Sequence, residues 1–159
     1  MSAFAAAIAS IADEVIAATD ELCRLDSAAG DGDLGLTMAT AAQTVKDLVP
    51  ALEGQDLATT LKRLGSEIAR KAPSTSGTLL ATACLRAGRV AAETSASGSV
   101  PDQAPVRDSR AAQLAALLAA AQHGIEERGR AAVGDKTLLD ALAPAAEAAG
   151  PAASAGASF

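Results

Sequence analysis

Apolar residues return along this chain every three or four positions, and no stretch alternates in the manner of a strand. Phe4, Ile8, Ile11, Val15, Leu22 and Leu25 trace one face of a long N-terminal helix. Leu57, Leu61, Leu64 and Ile68 trace the face of another. That period commits the chain to helices packed on helices, an all-α fold. Residue type then sets how closely they pack. Half of the 159 residues are apolar, yet Phe4 and Phe159 are the only aromatic ones, so alanine and leucine supply the core. Both favour helix, and alanine lets helix axes approach closely.

The breaks between periodic segments divide the chain into about six helices. The first ends at the Asp- and Gly-rich stretch LDSAAGDGDLGLTM, residues 25–38. A second is expected over 35–48, stopped before Pro50. Asp56 is placed to cap a third, which runs until Pro73. A small polar turn, Ser74 to Gly77, opens a fourth. Residues 94–108 are rich in Ser, Gly and Pro and read as an exposed linker. A fifth helix fits 109–128. A sixth follows over 135–149 with Asp135 as its candidate cap, Pro144 kinking or shortening it, and Leu138, Leu139 and Leu142 facing the core. One domain is expected over 1–150, followed by a flexible tail at 151–159.

Charge and cysteine use exclude several classes. The net charge is −6, with Lys and Arg scattered, so neither a nucleic-acid face nor a basic membrane patch is present. No apolar run approaches transmembrane length. No basic residue precedes the N-terminal apolar run, and Asp13 and Glu14 follow it at once, which argues against a signal peptide. Cys23 and Cys84 lack a CxxC partner and read as small buried hydrophobes of a reducing compartment, so a cytoplasmic protein is expected.

Three turns precede helices and carry glycines and hydroxyls: 30–37, 74–78 and 129–137. Such a turn suits a phosphate, because glycine allows close backbone approach and a helix N-terminus offers N–H groups and a favourable dipole. Each could equally be an ordinary helix cap. The first turn differs by its charge. Asp33 alone would suffice as a cap, whereas Asp26, Asp31 and Asp33 together repel by on the order of a kcal/mol per close pair. A bound cation removes that cost. Three hard oxygen ligands suit Mg²⁺ or Ca²⁺ and disfavour zinc. An EF-hand fails, since the twelfth position counted from Asp31 is Ala42 and from Asp26 is Thr37, neither a carboxylate. Carboxylates beside glycine-rich helix starts therefore read as a Mg²⁺–nucleotide site. Lys136 is either solvated or reaches a phosphate. His123 lies on the fifth helix away from the three turns, and no nucleophile or general base suggests itself.

LDSAAGDGDLG resembles the LDxxxGDGDHG motif of the DhaL (DAK2) family, the nucleotide-binding unit of dihydroxyacetone kinases. APSTSGTLL is similar to that family's GGxSGPL turn, and GDKTLLDAL at 134–142 is similar to its GDKTMxDAL motif. The resemblance covers roughly residues 5–150. It implies an antiparallel eight-helix barrel that holds ADP or ATP at one end through two Mg²⁺ ions. Position by position, Asp26, Asp31 and Asp33 match the metal ligands. Leu34, Gly35, Leu36 and Thr37 match the segment touching the phosphates, Thr75 and Ser76 the second turn, and Gly129 and Leu138 the edge of the adenine pocket. The phosphoryl group would pass to a small ketose held by a DhaK-type partner, with a DhaM-type protein as a possible donor.

Two departures stand out. Leu34 occupies the place of the motif's His. The family's closing Gly/Arg-rich loop and last two helices have no counterpart before Phe159, which implies weaker nucleotide retention and an exposed apolar face open to a second copy or a partner. A fatty-acid kinase, or a non-catalytic regulator built on the same fold, is the alternative.

Overall fold

In a computed structural model, which describes residues 3–96 and 106–154, the chain is all-α. Seven helices are present among the described residues: α1 (Ala3–Ala17), α2 (Thr19–Asp26), α3 (Leu34–Leu52), α4 (Leu57–Lys71), α5 (Thr75–Ala96), α6 (Val106–Gly129) and α7 (Leu139–Ser154). The linker expected at 94–108 shrinks at both ends, because α5 continues to Ala96 and α6 starts at Val106; residues 97–105 lie outside the described part. The same holds for 155–159 of the expected tail, while α7 runs to Ser154.

The long first helix of the sequence reading is two helices. Ala18 leaves helical geometry at φ −81°, ψ 3°. The Thr19 hydroxyl donates to the carbonyl of Ile16 at 2.6 Å, drawing that acceptor out of the regular ladder. Tertiary packing keeps the break in place. Gly35, in the first turn of α3, sits so close that a Cβ there would lie 2.0 Å from the Thr19 carbonyl oxygen and 2.6 Å from Cys23 Sγ. In α2, Asp20 and Glu21 occupy the first turn and Arg24 the last, signs that suit the helix dipole. Arg24 also grips Glu21 through two hydrogen bonds of 2.8 and 2.7 Å.

Pro50 does not stop α3, which continues to Leu52. A proline this near a C-terminus forfeits one backbone hydrogen bond, and burial of Val49 and Leu52 offsets that loss. Arg63 Nη1 then donates to the Ala51 carbonyl at 2.9 Å, closing the α3–α4 turn. Directly after Asp56, α4 begins, and its Leu64 and Ile68 are buried as the stripe predicts.

Two compact units divide the chain. The first gathers residues up to Asp56 and Arg63–Ala81; the second gathers Leu57–Lys62 and the residues from Thr82 onward. Alanines carry much of both cores: Ala5, Ala12, Ala41, Ala42, Ala72 and Ala81 in the first, Ala58, Ala83, Ala87, Ala91, Ala111, Ala143 and Ala149 in the second. Two members of the N-terminal stripe are correspondingly displaced outward, Ile11 at 65% exposure and Leu25 at 53%. Among the described residues, no helix is long and apolar enough to cross a membrane.

Candidate metal and nucleotide site

Asp26 closes α2, Asp33 precedes α3, and a seven-residue turn ending at Asp33 joins them. The turn winds tightly on itself. Ala29 and Gly30 N–H donate to the Asp26 carbonyl at 2.9 and 2.6 Å, and the Ser27 hydroxyl donates to the Cys23 carbonyl at 2.8 Å. Gly32 supplies the reversal at φ +80°, where a Cβ would meet Ser27 Oγ at 2.4 Å. The result is a cluster that sequence spacing anticipates. One carboxylate oxygen from each of Asp26, Asp31 and Asp33 lies within 4.8 Å of the others.

Capping by Asp33 does not account for this cluster. Asp33 holds the N-cap position of α3 but makes no side-chain capping hydrogen bond. The Leu34 N–H donates instead to Asp26 Oδ2 at 3.2 Å, eight residues upstream. Asp31 Oδ1 accepts only a long 3.4 Å bond from the Asp33 N–H. Chiefly the negative charge of Asp31, then desolvation and the charge of Asp26, raise the Asp33 carboxyl above its ordinary value. A divalent cation among these oxygens would reverse that repulsion. Asp26 is half-buried while Asp31 and Asp33 are exposed, so the cluster opens to solvent on the side where substrate oxygens would complete the coordination. The donor set fits Mg²⁺.

The residues matched to the phosphates lie on two helix starts of the first unit. Leu34, Gly35, Leu36 and Thr37 form the first turn of α3, with Leu36 62% exposed and Thr37 half-buried. Thr75 and Ser76 open α5, capped by Ser74, whose Oγ accepts the Gly77 N–H at 3.0 Å. The hydroxyls of Thr37, Thr75 and Ser76 have no hydrogen-bond partner among the described residues.

The third turn belongs to the second unit, and its local structure corrects the sequence reading. α7 starts at Leu139, not Asp135. Gly134 at φ +102° and Lys136 at φ +58° cannot continue a right-handed helix. Asp135 Oδ2 accepts the Ala132 N–H at 2.8 Å, organising the loop and capping no helix. Asp140, which sequence reasoning missed, does the larger share. Its two oxygens accept the N–H of Gly134 at 2.6 Å and of Thr137 at 2.8 Å, and these bonds hold its carboxyl below the usual range. The GDKTLLDAL spacing contains that signal, an Asp three residues after a Thr, but it reads more simply as helix. Leu139 is fully buried, whereas Leu138 is 40% exposed and does not face the core. Gly129 ends α6 on the other side of the loop, and Lys136 is exposed.

His123 is exposed on α6, with Nδ1 3.3 Å from Glu126 Oε2. Cys23 and Cys84 are free thiols, and burial pushes Cys84 up to about 11.

The sequence is similar to those of known proteins. A family model for the DAK2 domain matches residues 28–159, a span that includes Asp31 and Asp33 and begins two residues after Asp26. The ADP-binding subunit DhaL of a PEP-dependent dihydroxyacetone kinase from Listeria innocua is 33% identical over 125 residues, covering 77% of this chain and 56% of that protein. The corresponding Escherichia coli DhaL is 29% identical over 129 residues, 81% of this chain and 56% of that one. A D-erythrulose kinase from Mycolicibacterium smegmatis is 32% identical over 145 residues, 90% of this chain but 23% of that enzyme. This chain thus spans little more than half of the DhaL subunits and about a quarter of the larger kinase. On the extent of the family match and these identities, the chain belongs to the DAK2 domain family.

Proposed function

We propose that this chain is the nucleotide-holding part of a kinase for small ketoses, binding ADP or ATP with Mg²⁺ and passing the phosphoryl group to a ketose held by a DhaK-type partner. The observation that carries this reading is the convergence of Asp26, Asp31 and Asp33 in front of α3, with Asp33 left out of the helix cap. The relatives support it, two of those described being named as ADP-binding subunits.

Asp26, Asp31 and Asp33 would hold the metal, probed as one or two Mg²⁺ ions. Bound there, Mg²⁺ supplies charge neutralisation for the phosphates during in-line transfer. The chain's own groups do the positioning. Amide groups of Leu34–Thr37 and the hydroxyls of Thr37, Thr75 and Ser76 are suited to phosphate oxygens, and the α3 and α5 dipoles favour the same anion. In the second unit, exposed Leu138 and Gly129 are the residues that the family resemblance matches to the edge of the base. With these carboxylates committed to the cation, the acceptor hydroxyl would come from the partner's substrate. Residues 1–150 are taken as the unit that does this work, and the phosphoryl donor is either free ATP or a DhaM-type protein.

Calorimetric titration of Mg²⁺ and ADP tests the reading. ADP should bind only with Mg²⁺, and Asp33→Asn should weaken that binding at least tenfold. Because the substitution also removes repulsion, the metal-free variant should melt no lower than the wild type. Equal ADP affinity with and without Mg²⁺, or in wild type and variant, would overturn the assignment.

A further inference from the structure

The turn between α2 and α3 is held unevenly on its two sides. Both carboxylate oxygens of Asp26 have fixed seats. Oδ2 accepts the Leu34 N–H at 3.2 Å, and Oδ1 lies against Gly30, where an added Cβ would come within 2.7 Å of it. Asp31 and Asp33 are held less firmly. A long 3.4 Å bond runs from the Asp33 N–H to Asp31 Oδ1, and Asp33 makes no side-chain capping bond. The residue between them sets their place. Gly32 turns the chain at φ +80°. Apart from its chain neighbours, the atoms nearest an added Cβ there are Ser27 Oγ at 2.4 Å, Ser27 Cβ at 3.5 Å and the Cys23 carbonyl oxygen at 3.7 Å. We infer that Ser27 is a positioning residue that fits the aspartate cluster to Mg²⁺ in preference to the larger Ca²⁺, an assignment that rests on the metal reading above.

Ser27 is anchored to the end of α2. Its N–H and its hydroxyl both donate to the Cys23 carbonyl, at 2.9 and 2.8 Å. A hydroxyl folded back on the carbonyl four residues earlier is ordinary in itself, since Thr40 and Thr44 do the same in α3. Ser27 differs in carrying the tip of a turn. The hydrogen bond fixes Oγ, and Oγ in turn stops Gly32 from settling toward α2. Because Gly32 joins Asp31 to Asp33, any settling would carry both carboxylates with it. Ser27 thus acts on the cluster through Gly32.

Ion size makes that support measurable. Mg²⁺ demands near-ideal octahedral geometry with oxygens at about 2.0–2.1 Å, whereas Ca²⁺ accepts about 6–8 oxygens at about 2.3–2.6 Å in adaptable arrangements. A cluster whose Asp31–Asp33 side can shift therefore loses Mg²⁺ first. Residues that orient a metal's ligands without touching the metal typically govern about 10–100-fold of its affinity.

The test is calorimetric titration of ADP into the full chain, in excess Mg²⁺ and separately in excess Ca²⁺. The wild type should bind more tightly with Mg²⁺. Ser27→Ala removes the hydroxyl but leaves the backbone hydrogen bonds of the turn in place. Its ADP affinity should fall about tenfold with Mg²⁺ and less than about twofold with Ca²⁺. The metal-free melting temperature, followed by circular dichroism, should match the wild type. Ser27→Thr keeps the hydroxyl and should keep the wild-type preference between the ions. Equal losses with both ions, with or without a lower melting temperature, would make Ser27 a purely structural residue and overturn the inference. So would an unchanged preference in Ser27→Ala, a Ser27→Thr chain as impaired as Ser27→Ala, or a wild type indifferent to the ion. In each of those cases the wild type still binds metal and ADP together, and the metal reading stands. A wild type that binds ADP with neither ion sinks both.

Discussion

Gly35→Ala is the most informative single change in the first unit. In an exposed helix this substitution is favourable by about 1 kcal/mol, since alanine is the better helix former. Here the added Cβ would lie 2.0 Å from the Thr19 carbonyl oxygen, about 1.4 Å inside ordinary van der Waals contact, and 3.0 Å from the Cys23 N. Two of these obstacles are backbone, so no rotamer change relieves them, and α3 must move away from α2. Overpacking of this kind costs about 3 kcal/mol at the upper end of the usual range. The net loss is then about 2 kcal/mol, or a fall in melting temperature of about 4–8 °C for a chain of this size. The displacement has a second consequence, because Asp26 ends α2 while Asp33 and the Leu34 amide begin α3. Mg²⁺ affinity should fall although no ligand has changed. Urea unfolding followed by circular dichroism gives the first quantity and calorimetry the second. A Gly35→Ala chain as stable as the wild type, with metal affinity intact, would refute the close-approach argument.

Other outcomes follow from the loop and the thiols. The Asp140 carboxyl should titrate below the ordinary Asp range by NMR. Since the folded value is depressed, its contribution is present above the unfolded-state value and is lost as pH falls through the folded one. Amide exchange at Gly134 and Thr137 should accelerate over that same acidic window and in Asp140→Ala at neutral pH. Cys84, its thiol raised to about 11 by burial, should resist iodoacetamide at pH 8 until the chain is unfolded in urea.

Much of the candidate site was legible because it is local. Asp26, Asp31 and Asp33 fall within eight residues, so one turn with a positive-φ glycine suffices to gather them, and spacing announces it. The α4 stripe and the stop before Pro73 are local in the same sense. What escaped reading depends on contacts distant in sequence. The break at Ala18 is held by Gly35, seventeen residues on, and nothing in the smooth apolar period of residues 4–25 marks it. Pro50 looks like a stop, yet Val49 and Leu52 carry the helix past it by burial. In the third turn, Asp140 reaches back six residues to the Gly134 amide and moves the start of α7 to Leu139. That shift turns Leu138 outward. The outward position of Ile11 has a related origin, because alanines can fill tight helix contacts and leave larger residues at the margin.

The 3.2 Å bond from the Leu34 amide to Asp26 Oδ2 gives one carboxylate two employments. The oxygen that steadies the first residue of α3 belongs to the same group that would grip a cation, so electron density drawn toward the ion leaves less for the amide proton. The Leu34 N–H resonance is thereby a native gauge of site occupancy, readable without any attached label. Asp26→Asn separates the two duties: its amide oxygen still accepts the Leu34 proton, but its charge is gone. A gauge that falls silent in that variant while the helix start stays ordered shows that the cation and the helix were sharing a single side chain.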